Sequence, residues 1–264
     1  MKAEKFSNGM DASAMKIYLD TLAEKYNNLS FIECDPVSIP HRFTGKHDIE
    51  VSAFLTATIA WGRRDLILRS ASRLMSLMGN EPYRFIAAAS EKEISSLSGF
   101  VHRTFNGFDA VTFARCLRQV YSRYGSMEEI ICESLERGGT MGEAITHLHK
   151  VFFSAPHEVR TERHLSDVSK GSAGKKINMF LRWMVRKDDH GVDFGVWKNV
   201  DQSLLCIPLD LHAGNTARSL GLLKRRQNDW KAVEELTSLL RKFDPADPAK
   251  YDFALFGAGV NGDL

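Results

Sequence analysis

Apolar residues recur at helical spacing along almost the whole chain. Ile49, Phe54, Leu55, Thr58 and Ile59 form one such stripe, and Leu66, Ile67, Leu74, Leu77 and Met78 form another beyond Gly62. Residues three and four apart share a face on a helix, whereas alternate residues share one on a strand. The same spacing predicts helices over 12–26, 109–124, 127–136 and 141–153. No stretch alternates convincingly and no hairpin signal stands out, so the expected fold is all-α. Asp109 is placed to cap a helix beginning at Ala110, and the Gly138-Gly139 stop precedes Thr140 as N-cap with Glu143 as its box partner.

The C-terminal third has the clearest punctuation. Residues 175–186 read as a helix that is apolar around much of its circumference, as a central helix would be: Ile177, Met179, Phe180, Leu181, Trp183, Met184 and Val185. Asp210, two residues after Pro208, caps a helix over about 211–220, which Gly221 stops. Asn228 or Asp229 opens the next helix, with Trp230, Val233, Leu236, Leu239 and Leu240 inward, and Asp247 caps a last one with Pro248 at its first position. Periodicity is poor over 153–174. The expected organisation is one domain, 1–264, of two packed helical lobes joined there, with N-terminal helices serving both and a cleft between them.

Composition excludes several classes. The chain has 264 residues, 44% apolar and 26% charged, which suits a soluble globule. No run approaches a membrane span and the N-terminus lacks the apolar core of a secretory signal. Cys34, Cys116, Cys132 and Cys206 are scattered, without a Cys-x-x-Cys pair, and read as reduced thiols of a cytoplasmic protein. Neither a Walker loop nor a dinucleotide fingerprint occurs, so no cofactor is expected. Asp188, Asp189, His190 and Asp193 superficially suggest a metal cluster, but a helix-ending turn in water is the simpler reading, and no metal is expected.

The net charge is only +2, yet its distribution is uneven. His157–Lys187 carries eight Lys/Arg against three acids, and Lys224, Arg225 and Arg226 form a second basic cluster. Such patches either track a phosphate backbone or simply solvate helices. Inside the first segment, Gly171 and Gly174 permit a tight turn whose N–H groups can face a phosphate oxygen, with Lys170 and Lys176 beside it. Lys175 opens the following helix, where the dipole and the neighbouring Lys176 both favour a neutral, nucleophilic amine. Asp210 opens another helix and can hold a negative charge against developing positive charge. His212, two residues on, can touch phosphate or backbone. Trp61, in Ala-Trp-Gly-Arg-Arg, is a candidate for stacking on an extruded base, and the alternative is a structural indole.

Two resemblances extend this reading. Through Val51–Arg64, Lys175–Lys198, Pro208–Leu222 and Asp244–Gly259, the chain resembles the bacterial family known as domain of unknown function 2400. More distantly, Gly171–Asn178 followed by Ile207–Leu222 resembles the active region of helix-hairpin-helix DNA glycosylases, especially the archaeal branch acting on 8-oxoguanine. There a glycine turn leads into a helix carrying the catalytic lysine, and a later Asp opens another helix. By register that resemblance implies Lys175 and Asp210 as catalytic residues and matches Gly171, His212 and Arg218 to its glycine, histidine and arginine; with the turn residues Lys170, Gly174 and Lys176, these three are the expected nucleic-acid contacts. Ala173 stands where the superfamily's second glycine is usual, and the Leu-Pro lead-in is missing. The function implied is excision of a damaged base, such as an oxidised purine, with associated lyase action by a monomer on duplex DNA, nucleoid-associated when bound. The alternatives are a non-catalytic nucleic-acid-binding protein and a helical protein-interaction module.

Overall fold

The computed structural model describes Phe6 and residues 9–262. In chain order the α-helices are α1 (Ala12–Tyr26), α2 (Leu29–Cys34), α3 (Lys46–Ile59), α4 (Arg64–Leu77), α5 (Pro82–Ala88), α6 (Glu91–Ser95), α7 (Gly107–Tyr124), α8 (Met127–Glu136), α9 (Met141–Phe152), α10 (Lys175–Val185), α11 (Leu211–Ser219), α12 (Trp230–Phe243) and α13 (Tyr251–Asn261). Short 3₁₀ turns link several of them. Among the described residues the fold is all-α but for one antiparallel strand pair, β1 (Val101–His102) and β2 (Phe105–Asn106), which the sequence patterning does not reveal. Two residues per strand are too few to carry a period.

The chain forms two compact units: Ile32–Ser166, and the residues up to Phe31 together with those from Asp167 onward. The 32–166 unit is built around α3, buried along Ile49–Ile59, and α7. Its core rings include Phe54, Phe105, Phe113 and Phe152. The start of α7 differs from the sequence reading. Asn106, not Asp109, is the N-cap; Asp109 is the third helical residue and returns a bond to the Asn106 N–H, closing a capping box. Ser90/Glu93 and Thr140/Glu143 make the same box at α6 and α9.

In the other unit α10 is enclosed, every residue from Ile177 to Val185 being buried. Against it lie Trp197, edge-on to Phe180, and α13 through Asp252 and Phe253, and α13 in turn pairs closely with α1 and α11. Gly257 lets α1 approach α13, because a Cβ there would lie 2.3 Å from the Tyr26 ring. Gly259 does the same toward α11: its Cβ would lie 2.6 Å from Thr216 Oγ1 and 3.3 Å from the His212 carbonyl oxygen. Asp247 binds the Lys250 N–H and opens a 3₁₀ turn, Pro248–Lys250, rather than the helix itself, which starts at Tyr251. No helix among the described residues is long and apolar enough to cross a membrane.

Candidate functional site

Three helix starts in the second of these units hold most of the residues predicted for the site. Gly171 (φ +88°) and Gly174 (φ +60°) both adopt the left-handed conformation that favours glycine, and a Cβ at Gly174 would press 2.9 Å from Val168. The Gly171 carbonyl accepts the Trp230 N–H at 3.2 Å, pinning the turn to the start of α12. Gly174 is the N-cap of α10, and Lys175 and Lys176 are its first two residues. Lys175 and Lys176 are half-buried, whereas Lys170 is exposed beside Asp167 at 3.4 Å. Burial, together with the Lys175 charge, lowers the Lys176 amine to about 8.

Asp210 caps α11 as the sequence suggests, its Oδ1 accepting the Ala213 N–H at 2.9 Å. A set of polar contacts fixes this helix start. Asn228 Nδ2 donates to the Asp210 carbonyl at 2.9 Å. Arg218, half-buried, donates to Asn228 Oδ1 and to the Arg225 carbonyl. A side chain on Gly214 would collide with both Asn228 and Arg218, so only glycine fits. Arg218 therefore positions Asp210 through Asn228. His212 lies exposed, its ring edge-on to Phe256.

The residue that sequence reasoning missed is Asp252. Along α13 the register against α11 runs Gly259 beside Thr216, then Phe256 beside His212. One turn earlier comes Asp252, on the same face. Its carboxylate is only 7% exposed and accepts a hydrogen bond from Arg182 Nη1. Lys175, Asn178 and Arg182 follow i, i+3, i+7 along α10 and so share a stripe. Burial pushes the Asp252 carboxyl up to about 7; Arg182 and Lys175 oppose the rise, while Asp210 and Asp193 add to it. Lys175 and Asp210 thus both act electrostatically on one buried carboxyl. On the same α10 stripe, Asn178 is buried with its Oδ1 lacking a hydrogen-bond partner, while its amide nitrogen reaches the Ala173 carbonyl.

Arg182 belongs to a buried ion network that corrects two sequence expectations. Arg182 and Arg186 are each 3% exposed. Asp193 bridges them, at 3.2 Å and 3.1 Å; Arg186 also reaches Asp247 at 2.9 Å and Asp188 at 2.7 Å. The Arg182 guanidinium lies 4.2 Å from the Phe253 ring centre. The turn after α10 is therefore not simply solvated, since Asp193 is buried and Asp188 engaged. The basic segment 157–187 is likewise not one charged surface, because its Arg182 and Arg186 are interior and its Arg160 pairs with Asp109.

Trp61 belongs to the 32–166 unit. It is half-buried, stacked on His164 at 6.0 Å and edge-on to His102 at 5.2 Å. A base has at most the indole face opposite His164 available. A surface depression in that unit, about 420 Å³ in volume and lined by Met78, Glu81, Arg84, Phe85 and Glu93 among others, holds none of the predicted site residues.

With this geometry in hand, the model for the family described as "Protein of unknown function (DUF2400)" matches residues 35–261. The chain belongs to that family. The match takes in α3 to α13 and every residue singled out above, but the family's description assigns them no role. Neither the curated proteins nor the solved structures contain a match.

Proposed function

We propose that the protein excises damaged bases from DNA, with Lys175 as nucleophile, Asp210 as the fixed negative charge and Asp252 as a buried proton-holding carboxyl. The observation that carries this reading is that Lys175, Asp210 and Asp252 stand at the starts of α10, α11 and α13 of one unit, where Arg182 of α10 bonds the Asp252 carboxylate and α13 packs closely on α11 at Gly259. A lysine amine attacks C1′ of the nucleotide as the C1′–N bond to the base breaks, and the departing base takes up a proton. Loss of a proton from the attached nitrogen and opening of the sugar then give an imine, from which strand cleavage follows. Asp210 favours the positive charge that develops at the sugar. A carboxyl that titrates near neutrality can supply or receive the proton.

Two amines compete for the nucleophile's role. Lys176 has the lowered pKa, but Lys175 stands on the α10 stripe with Asn178 and Arg182 and acts on Asp252. Geometry decides first and pKa second, so we assign attack to Lys175. The Gly171 N–H bonds the Val168 carbonyl and the Gly174 N–H the Ser172 hydroxyl, so Lys170 and the start of α10, rather than the N–H groups of the two glycines, are assigned to a phosphate, with His212 at a neighbouring one. Oxidised purines are the proposed lesion class.

Borohydride reduction in the presence of duplexes bearing an oxidised guanine or an abasic site tests the proposal. Wild type should give a covalent protein–DNA complex. Lys175→Ala should abolish it, and Asp210→Asn should slow its formation while leaving binding largely intact. Salt-sensitive DNA binding without any trapped complex would favour the non-catalytic nucleic-acid-binding protein instead.

A further inference from the structure

The 32–166 unit carries a second constructed surface. Three stretches meet there: residues 60–64 before α4, the turn between β1 and β2, and the 3₁₀ segment Val159–His164. Arg63, Arg64, Arg103 and Arg163 lie exposed on them. Arg103 sits in the left-handed region at φ +54°, a conformation disfavoured for a residue with a Cβ. Its guanidinium covers Gly62, itself at φ +100°: a Cβ there would lie 2.5 Å from Arg103 Nη1. Any residue but glycine at position 62 would push that guanidinium away.

The other parts are pinned as well. Arg163 Nη2 donates to the Thr104 carbonyl at 3.1 Å, tying the 3₁₀ segment to the hairpin turn. His102 is buried between Ser70 Oγ, 2.9 Å from Nδ1, and the Trp61 carbonyl, 3.3 Å from Nε2. Burial lowers its pKa, so the neutral ring donates from Nε2 and accepts at Nδ1. His164, against which Trp61 stacks, lies 3.3 Å from the fully buried Asp109. Asp109 also accepts from Arg160, Thr161 and the Asn106 N–H. Asp65, an exposed carboxylate at the start of α4, is bonded to Arg63.

We infer that this face binds the phosphodiester backbone of duplex DNA, with Arg63, Arg103 and Arg163 contacting phosphates around the half-buried Trp61. Guanidinium groups fit phosphate oxygens bidentately, and these are oriented by the Gly62 contact of Arg103, the Asp65 carboxylate on Arg63 and the Thr104 carbonyl on Arg163. Contacts of that kind position a duplex without reading its sequence. The choice of DNA as occupant rests on the base-excision reading above; the surface does not.

The test is equilibrium binding of undamaged duplex over a salt series. The proteins are wild type, the triple variant Arg63→Gln/Arg103→Gln/Arg163→Gln, and a control triple variant, Arg84→Gln/Arg115→Gln/Arg137→Gln, which neutralises exposed arginines on α5, on α7 and after α8. The first triple variant should bind at least about tenfold more weakly at low salt and flatten the log–log salt slope by roughly 2 to 3, about 0.9 per lost phosphate contact. The control should alter the slope by less than about 1. Arg103→Gly, which keeps the turn because glycine accepts positive φ, should alone flatten the slope by about 1. Equal effects of the two triple variants, an unchanged slope in Arg103→Gly, or no association of wild type at low salt would overturn the inference. Trapping at Lys175 without these losses would sink this surface and spare the base-excision reading, and the losses without trapping would do the reverse.

Discussion

Arg182 and Arg103 put one side chain to opposite uses. Arg182 is buried on α10, bonded to Asp193 and Asp252 and lying over Phe253. Arg103 is exposed on a hairpin turn, held at positive φ over a glycine. The first comes from the most basic segment of the chain, the second from a segment with no obvious charge excess. The lesson is that charge density along a sequence does not locate a charged surface. Carboxylates from distant segments, Asp109, Asp193, Asp247 and Asp252, absorb the guanidinium groups of Arg160, Arg182 and Arg186. The arginine face of the 32–166 unit is instead gathered from stretches about a hundred positions apart.

The sharpest way to break this comparison is to remove Arg182. Arg182→Met leaves Asp193 and Asp252 buried without one of their cations, and breaking a buried pair costs about 3–5 kcal/mol. Urea denaturation should show a loss of that size. A loss below about 1 kcal/mol would mean that the network is not holding α10 and α13 together.

Asp252 gives a pH test of the same network. Burial raises its carboxyl from the usual 3.8 to about 7 in the folded state. A raised carboxyl favours folding below the unfolded value, and that contribution is lost as pH rises through the folded one. Wild-type stability should therefore fall between about pH 4 and 7 relative to Asp252→Asn, by up to about 4 kcal/mol. Parallel stability curves for the two proteins over that window would contradict the assignment.

Smaller effects belong to the exposed arginine. Gly62→Ala introduces a Cβ at positive φ and displaces Arg103, and should cost about 1–2 kcal/mol in thermal denaturation. Arg103→Gly removes strain there but frees the unfolded chain, so stability should stay within about 1 kcal/mol of wild type. Destabilisation as large as that of Arg182→Met would erase the contrast between the two arginines.

The same contrast separates what was legible in the sequence from what was not. Local rules worked where one helix decides the outcome: the Thr140/Glu143 box, the Asp210 cap, the enclosed α10 and the inward stripe of α12. They slipped at α7, where Asn106 and Asp109 are both good capping types and only the bonding tells them apart. They failed for Asp252, which stands in the apolar run Tyr251–Phe256 and acquires its meaning from Arg182, seventy positions earlier. Nor does the residue type announce positive φ at an arginine, since that conformation comes with the two-residue turn that pairs His102 with Phe105.

The most direct test of the account is to map the attachment site after borohydride trapping on an abasic duplex. Proteolysis and mass spectrometry of the reduced complex should place the adduct on Lys175, and formation of that adduct should decline in Asp252→Asn with an altered pH profile. An adduct on Lys176 would transfer the chemistry to the amine of lowered pKa. An adduct outside Lys175 and Lys176, or none on any lesion duplex, would contradict the claim that the start of α10 is a catalytic site.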